Sequence, residues 1–257
     1  MEPKAVFVAW RSGGPSTGHW GPVGRLDMTS AGTFRFLYTR GARTLEGFEP
    51  FPGMPLLDEV YESVKLFPLF ANRLLAKSRP EYEAYLRWGG FAPTLPPDPI
   101  ALLAVMEGRR ATDSVEVFPC PTAGQDGMFE CTFFLHGIRW TTPQAQEWVG
   151  QSTGGEQLDL QPDNANEAAP KAVGVWTRTS SPLRIGYVPR YLARDIRRLD
   201  DASSLRAIDL RIYQVNADAP LQQRLLCRFR TKWPTGFEPC TGEEFEPIPD
   251  ASALAVS

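Results

Sequence analysis

Aromatic side chains and arginines occur together in the second half of the chain, in a combination that can bind single-stranded nucleic acid. Trp140, Trp176 and Tyr187 can offer flat π-surfaces to unpaired bases. The cations that can neutralise phosphates follow closely, with Asp195 as the one acid among them: Arg178, Arg184, Arg190, Arg194, Arg197 and Arg198. The pattern favours a binding groove, although the same aromatics can be core residues and the same arginines a solvated helix face.

The sequence contains no motif of a catalytic site. No phosphate loop of the G-x-x-x-x-G-K-S/T type, G-x-S-x-G nucleophile elbow or H-E-x-x-H pair occurs. The two histidines are His19 and His136, and no recognisable motif ties a cysteine or serine nucleophile to either. We therefore expect a protein that is not an enzyme and needs no cofactor.

Cysteine spacing and hydropathy bear on metal binding and location. The four cysteines form no C-x-x-C pair, so we expect no metal site: Cys120, Cys131, Cys227 and Cys240. No stretch reaches the ~18 apolar residues of a membrane span, and the first residues are unlike a secretory signal. We expect no membrane partner and a cytoplasmic location, where thiols stay reduced.

Composition predicts a mixed α+β fold with many short strands. The chain has 257 residues with 24 Pro and 22 Gly, and its net charge of −3 excludes a protein coated in positive charge. The first half predicts strands at 4–10 and 32–42, a loop at 13–24, and a helix at 60–75 that Pro68 kinks or divides. Further helices are expected after Ser78 and Asp98.

After residue 128 the periodicity changes to short strands, with one helix beginning near Arg190. This rhythm predicts a small barrel or curled sheet. We therefore expect an N-terminal α+β domain, a linker, a small OB-like β-barrel domain with one helix, and a C-terminal tail, with these bounds: 1–119, 120–128, 129–235 and 236–257.

Three pieces of the second half, FFLHGIRW, GEQLDLQPDNANEAAPKAVGVW and IGYVPRYLA, resemble the HIRAN family in order and spacing. The matching residues are Gly137, Arg139, Trp140, Asp163, Asn164, Ala172, Val173, Val175, Gly186, Tyr187, Val188 and Pro189. The resemblance implies an OB-like barrel that binds single-stranded DNA, particularly its 3′ end. Carried over by position, it implies these nucleic-acid-binding residues: Arg139, Trp140, Asn166, Glu167, Tyr187 and Arg190.

The loop after Asn164 departs from the family pattern. It is about two residues longer than usual, and Asn166 and Glu167 stand where the family has a Tyr-Asp pair. An asparagine cannot stack on a base, and such stacking is worth about 1–3 kcal/mol. We therefore expect strand binding with weak discrimination of the 3′ end.

Residues 60–119 resemble the N-terminal subdomain of HipA-type serine/threonine kinase toxins. The residues that echo it are Leu66, Phe67, Phe70, Asn72, Leu74, Leu75, Asp98, Pro99, Leu102, Leu103, Gly108 and Pro119. The kinase motifs themselves are absent. The alternative function is thus a protein-interaction or antitoxin-like subunit that regulates a separately encoded HipA-like kinase in a toxin–antitoxin pair. The first half can equally be an α+β domain that only braces the barrel.

Overall fold

The chain divides into two compact units. The computed structural model describes residues 5–13, 19–95, 97–108, 113–119, 121, 124, 126–166, 169, 171–202, 205–232 and 234–248. The first unit comprises residues 1–82, 96–120 and 240–257, and the second comprises 83–95 and 121–239. Two segments therefore group differently from the predicted domains, because residues 83–95 belong with the second unit and those from 240 onward with the first.

Strands outnumber helices, as the composition predicts. Within the described residues the strands are β1 (Ala5–Arg11), β2 (Trp20–Met28), β3 (Phe34–Tyr38), β4 (Val60–Ser63), β5 (Val115–Pro119), β6 (Met128–Phe134), β7 (Gln157–Pro162), β8 (Val173–Thr177), β9 (Arg184–Tyr187), β10 (Asp209–Val215) and β11 (Leu225–Lys232). The helices are α1 (Gly41–Thr44), α2 (Pro68–Ala71), α3 (Tyr82–Trp88), α4 (Pro99–Met106), α5 (Pro143–Gln151) and α6 (Arg190–Ala202).

The first unit is built on an antiparallel sheet of order β4-β3-β2-β1-β5. Side chains alternate along a strand, so Phe34, Phe36 and Tyr38 all enter the core. The buried Tyr38 hydroxyl donates to the Met54 carbonyl at 2.7 Å and accepts from the Phe51 amide at 2.7 Å. Burial raises the pKa of this hydroxyl to about 12.

Two predictions for the first unit are wrong. The expected helix at 60–75 is instead β4 followed by the short α2, because Pro68 lacks an amide hydrogen and takes the first helical position. The expected loop at 13–24 already contains the start of β2, which pairs with β1 across an irregularity in register. The helix expected after Asp98 is confirmed, since the Asp98 carboxylate caps α4 by accepting from the Ile100 amide at 2.7 Å.

The C-terminal segment packs on the first unit up to residue 248. The Ile248 amide donates to the Tyr38 carbonyl at 2.9 Å, and the Arg40 amide donates to the Glu246 carbonyl at 2.8 Å. The Phe245 ring meets the Phe7 ring edge-on at 5.0 Å. These contacts hold the segment against β1 and β3.

The second unit is a curled antiparallel sheet of order β6-β11-β10-β7-β8-β9. The chain beyond β6 returns to the other edge, where His136 forms a bridge with Tyr187 of β9. The two edges of the sheet therefore meet, and the curled sheet fits the predicted OB-like fold. Buried aromatic rings fill the interior, where Phe129 meets Phe229 at 5.2 Å, and burial of such a ring is worth about 1.5–3 kcal/mol.

The second unit contains more helix than the one predicted. The expected helix is α6, and α5 is an additional helix between β6 and β7. Its start is encoded locally, because the Thr142 hydroxyl accepts from the Ala145 amide at 3.2 Å and Pro143 occupies the first turn. Four of the nine residues of the predicted linker, 120, 122, 123 and 125, lie outside the described residues.

Candidate nucleic-acid interface

The point at which the barrel closes determines where the predicted site lies. The amide of His136 donates to the Tyr187 carbonyl at 3.0 Å, and the amide of Tyr187 donates back at 2.9 Å. This approach needs a glycine at 186, where an added Cβ would lie 2.5 Å from the His136 carbonyl oxygen. The strand end that carries Tyr187 is thereby brought beside the chain leaving β6.

Directly after the bridge the chain makes a rigid 3-10 turn, Ile138–Trp140, which we call the closure turn. Gly137 starts it with φ of 73°, a left-handed conformation that favours glycine. Ile138 is buried, and its carbonyl accepts from the Thr141 amide at 3.1 Å and from the Thr141 hydroxyl at 2.7 Å. The closure turn is thus fixed by buried packing and by hydrogen bonds.

The closure turn presents an aromatic ring and a cation to solvent. Trp140 is 73% exposed, which is unusual for a side chain of this size. The Arg139 guanidinium lies 4.5 Å from the centre of the Trp140 ring, within the range of a cation–π contact. The exposure of Trp140 removes the alternative that it is a core residue. The pair combines a surface for a base with a charge for a phosphate.

Tyr187 is held differently, by protein partners. Its hydroxyl donates to Asp163 Oδ2 at 2.8 Å, and Arg184 Nη1 donates to the same oxygen at 3.0 Å. The Arg184 guanidinium also lies 5.0 Å from the centre of the Tyr187 ring. Burial, and then the hydrogen bond to Asp163, raise the pKa of the Tyr187 hydroxyl. These contacts hold the Tyr187 side chain in place beside Gly137. Its predicted contact with a nucleotide stays a prediction.

The loop that departs from the family pattern is tied to α6 and to itself. Arg197 donates from Nη1 to Asn164 Oδ1 at 2.7 Å and from Nη2 to the Ala172 carbonyl at 2.8 Å. Asn166 Oδ1 accepts from the Ala169 amide at 3.0 Å. Asn166 thus stabilises the loop's own turn, while Glu167, the other predicted loop residue, lies outside the described residues. Arg190 is the first residue of α6 and is half-buried.

Several of the arginines predicted to meet phosphate have acidic or carbonyl partners. Arg178 pairs with Asp159 at 2.6 Å and Arg184 pairs with Asp163. Arg198 donates to the Glu238 carbonyl at 2.9 Å. The two ion pairs were not predicted from sequence, because both aspartates come from a different segment, namely β7 and the loop that follows it. Arg184 and Arg197 thus brace the site more than they present charge to a ligand.

The described residues add two observations on other kinds of site. They contain no group of three or more histidine, cysteine, aspartate or glutamate side chains that could hold a metal ion. They also contain no helix that is both long enough and apolar enough to cross a membrane.

The His136–Tyr187 bridge closes the curled sheet into a small barrel, and the exposed Arg139–Trp140 pair lies at this closure. The family model described as the HIRAN domain matches residues 128–233. This part of the chain is therefore a HIRAN domain, as the sequence predicted. The match supports a nucleic-acid-binding role for the chain.

Two solved structures resemble part of this chain at low identity. A protein from Lactobacillus plantarum is 19% identical, with 41% of this chain and 99% of that chain covered, at a TM-score of 0.30. The HIRAN domain of human HLTF is 19% identical, with 42% of this chain and 84% of that chain covered, at a TM-score of 0.29. A comparison with curated proteins gave no match. The assignment of residues 128–233 depends on the family match.

The family match does not extend to the first half of the chain. The resemblance of residues 60–119 to the HipA subdomain, and the kinase partner that it implies, stay predictions.

Proposed function

We propose that the HIRAN domain binds a single strand of nucleic acid at the closure turn, with Trp140 stacking on an unpaired base. The observation that carries the proposal is the 73% exposed indole on a turn fixed by buried Ile138. Stacking of a base on an aromatic ring contributes about 1–3 kcal/mol, and a rigid ring loses little entropy on binding. Arg139 neutralises a phosphate beside the stacked base.

The same geometry favours a single strand over a duplex. Bases in a duplex are already stacked on their neighbours, so an indole on the surface of the protein finds no base face to cover. The chain acts in this proposal by binding alone, which agrees with a sequence that lacks catalytic motifs.

The strand, rather than its 3′ end, is the expected ligand. End recognition needs an acceptor and a stacking ring that are rigidly held. Asn166 replaces the ring that the family pattern has in this loop, and its side chain is engaged with the Ala169 amide. A free and a phosphorylated 3′ terminus should therefore differ in affinity by no more than about tenfold, or about 1.4 kcal/mol.

Fluorescence anisotropy with the full chain tests the proposal. Three labelled ligands are compared: a single strand of about 15 nucleotides, the same strand with a 3′ phosphate, and the corresponding duplex. We expect both single strands to bind at least about tenfold more tightly than the duplex. Equal or tighter binding of the duplex would overturn the proposal. A preference of about a hundredfold for the free 3′ hydroxyl would show an end-binding pocket and overturn the strand-binding mode.

A further inference from the structure

Three arginines form a row across the outer face of the barrel, away from the closure turn. Arg228 of β11 lies opposite Arg211 of β10, which in turn lies opposite Gln157 of β7. The next strand continues the row, because Arg178 follows β8 and donates from Nη1 to Gln157 Oε1 at 2.9 Å. We call Arg178, Arg211 and Arg228 the arginine row. Their side chains are 46%, 47% and 41% exposed.

The arginine row places like charges side by side, which destabilises an antiparallel pair. Acidic side chains lie beside the row rather than within it. Arg178 donates from Nε and Nη2 to Asp159 Oδ1, at 3.0 and 2.6 Å. Arg211 uses only Nε towards Asp209, at 2.8 Å, and the nearest acidic oxygen to Arg228 Nε belongs to Glu130, at 3.8 Å. Within the described part of the chain, the Nη atoms of Arg211 and Arg228 make no hydrogen bond. A guanidinium has five N–H donors, so most of the donors of these two arginines can reach an anion.

Aromatic side chains accompany the arginine row on the same face. Tyr213 is 44% exposed, and the Arg228 guanidinium lies 4.0 Å from the centre of its ring. Towards β9, Trp176 of β8 lies opposite Arg184. Tyr187 of β9 lies opposite Gly174, which is two residues before Trp176 in β8. The outer face therefore runs from Tyr213 past the arginine row and Trp176 to the strand that adjoins the closure turn.

We propose that the arginine row is a phosphate-binding track that carries a single strand across the outer face from the closure turn. This proposal rests on the proposed function, and it lengthens the binding site from the closure turn along the outer face. Four strand spacings separate β9 from β11, which is ~19 Å along the curved sheet at ~4.8 Å per strand. This distance favours a site of several nucleotides, within the range of about 4–16 found for OB folds.

The test replaces Arg211→Gln and Arg228→Gln together, which removes charge at two half-exposed positions with little effect on packing. The matched control is Arg230→Gln on β11, because Arg230 is 46% exposed but pairs with Asp126 and with Glu130 at 3.7 Å. Anisotropy is measured across a salt series with labelled single strands of about 5 and about 15 nucleotides. The unfolding midpoint of each variant is measured alongside.

We expect the double variant to bind the longer strand at least about tenfold more weakly, with the log–log salt slope reduced by about 1.4, or about 0.7 for each phosphate that is no longer neutralised. Binding of the shorter strand should change by less than about twofold, as should all binding by Arg230→Gln. If the double variant binds the longer strand as tightly as Arg230→Gln does, the track is absent. If the unaltered chain binds neither strand, the proposed function fails and the track with it.

Discussion

At the scale of single residues, Asp163 is the acceptor that holds the side chains of Tyr187 and Arg184 in place. Its carboxylate, 19% exposed, accepts from the Tyr187 hydroxyl and from Arg184 through one oxygen. Removal of a partly buried acceptor that holds two donors costs free energy, because both donors lose a hydrogen-bond partner where access of water is limited. Tyr187 thereby keeps the orientation in which its backbone closes the barrel.

Asp163→Ala should lower the free energy of unfolding by about 1–3 kcal/mol, because a neutral and a charged donor are left without their acceptor. The matched control is Asp159→Ala, which removes an ion pair with Arg178 whose side chains are 43% and 46% exposed. Exposed pairs contribute little, so this variant should change stability by less than about 1 kcal/mol. Urea denaturation measures both. Equal losses of unfolding free energy for the two variants would contradict this role of Asp163.

At the scale of elements, the closure of the barrel depends on one short contact between strand ends. The β9 glycine at 186 lets its backbone approach His136, and an added Cβ would be 2.5 Å from a backbone oxygen and 2.7 Å from Leu135 Cγ. Backbone atoms of a closed sheet cannot move aside independently of the strands. The positions of β9 and of the closure turn are therefore coupled.

Gly186→Ala should lower the free energy of unfolding by about 1–3 kcal/mol, because the methyl group overpacks the bridge. Binding of a single strand should weaken as well, since the closure turn follows the bridge directly. Gly150→Ala is the control, because it lies in α5 with no atom within 4 Å of the added Cβ. Alanine should stabilise that helix by up to about 1 kcal/mol. A Gly186→Ala variant as stable as the unaltered chain would contradict the coupling.

At the scale of the whole molecule, the second unit was more predictable from sequence than the first. Buried and exposed side chains alternate in β7 and β10. The short strands expected after residue 128 and the helix expected near Arg190 are present as β6 to β11 and α6. The helix α5 was missed because its apolar face consists of only three residues, Ala145, Trp148 and Val149, although Thr142 and Pro143 mark its start. In the first unit, apolar spacing at 60–75 matched a helix although sheet pairing determined the structure.

The candidate site could likewise be predicted from sequence only in part. Trp140 and Arg139 are neighbours in sequence, so their pairing could be predicted. The partners of Arg178 and the alignment of Arg211 with Arg228 depend on which strands pair and in which register. That information is not local, because residues far apart in sequence meet only after the sheet has curled.

Substitution of Trp140 tests the central claim most directly. Trp140→Leu keeps apolar bulk without a π-surface, whereas Trp140→Phe keeps a smaller ring at the same place on the closure turn. Since Trp140 is exposed, both variants should unfold at the same denaturant concentration as the unaltered chain. Anisotropy with a labelled single strand of about 15 nucleotides then compares their affinities.

We expect Trp140→Leu to weaken binding at least about tenfold, as the loss of one stacked base requires, and Trp140→Phe to retain most of the affinity. Binding by Trp140→Leu that equals that of the unaltered chain would contradict the account, because the exposed indole would then have no part in holding the strand.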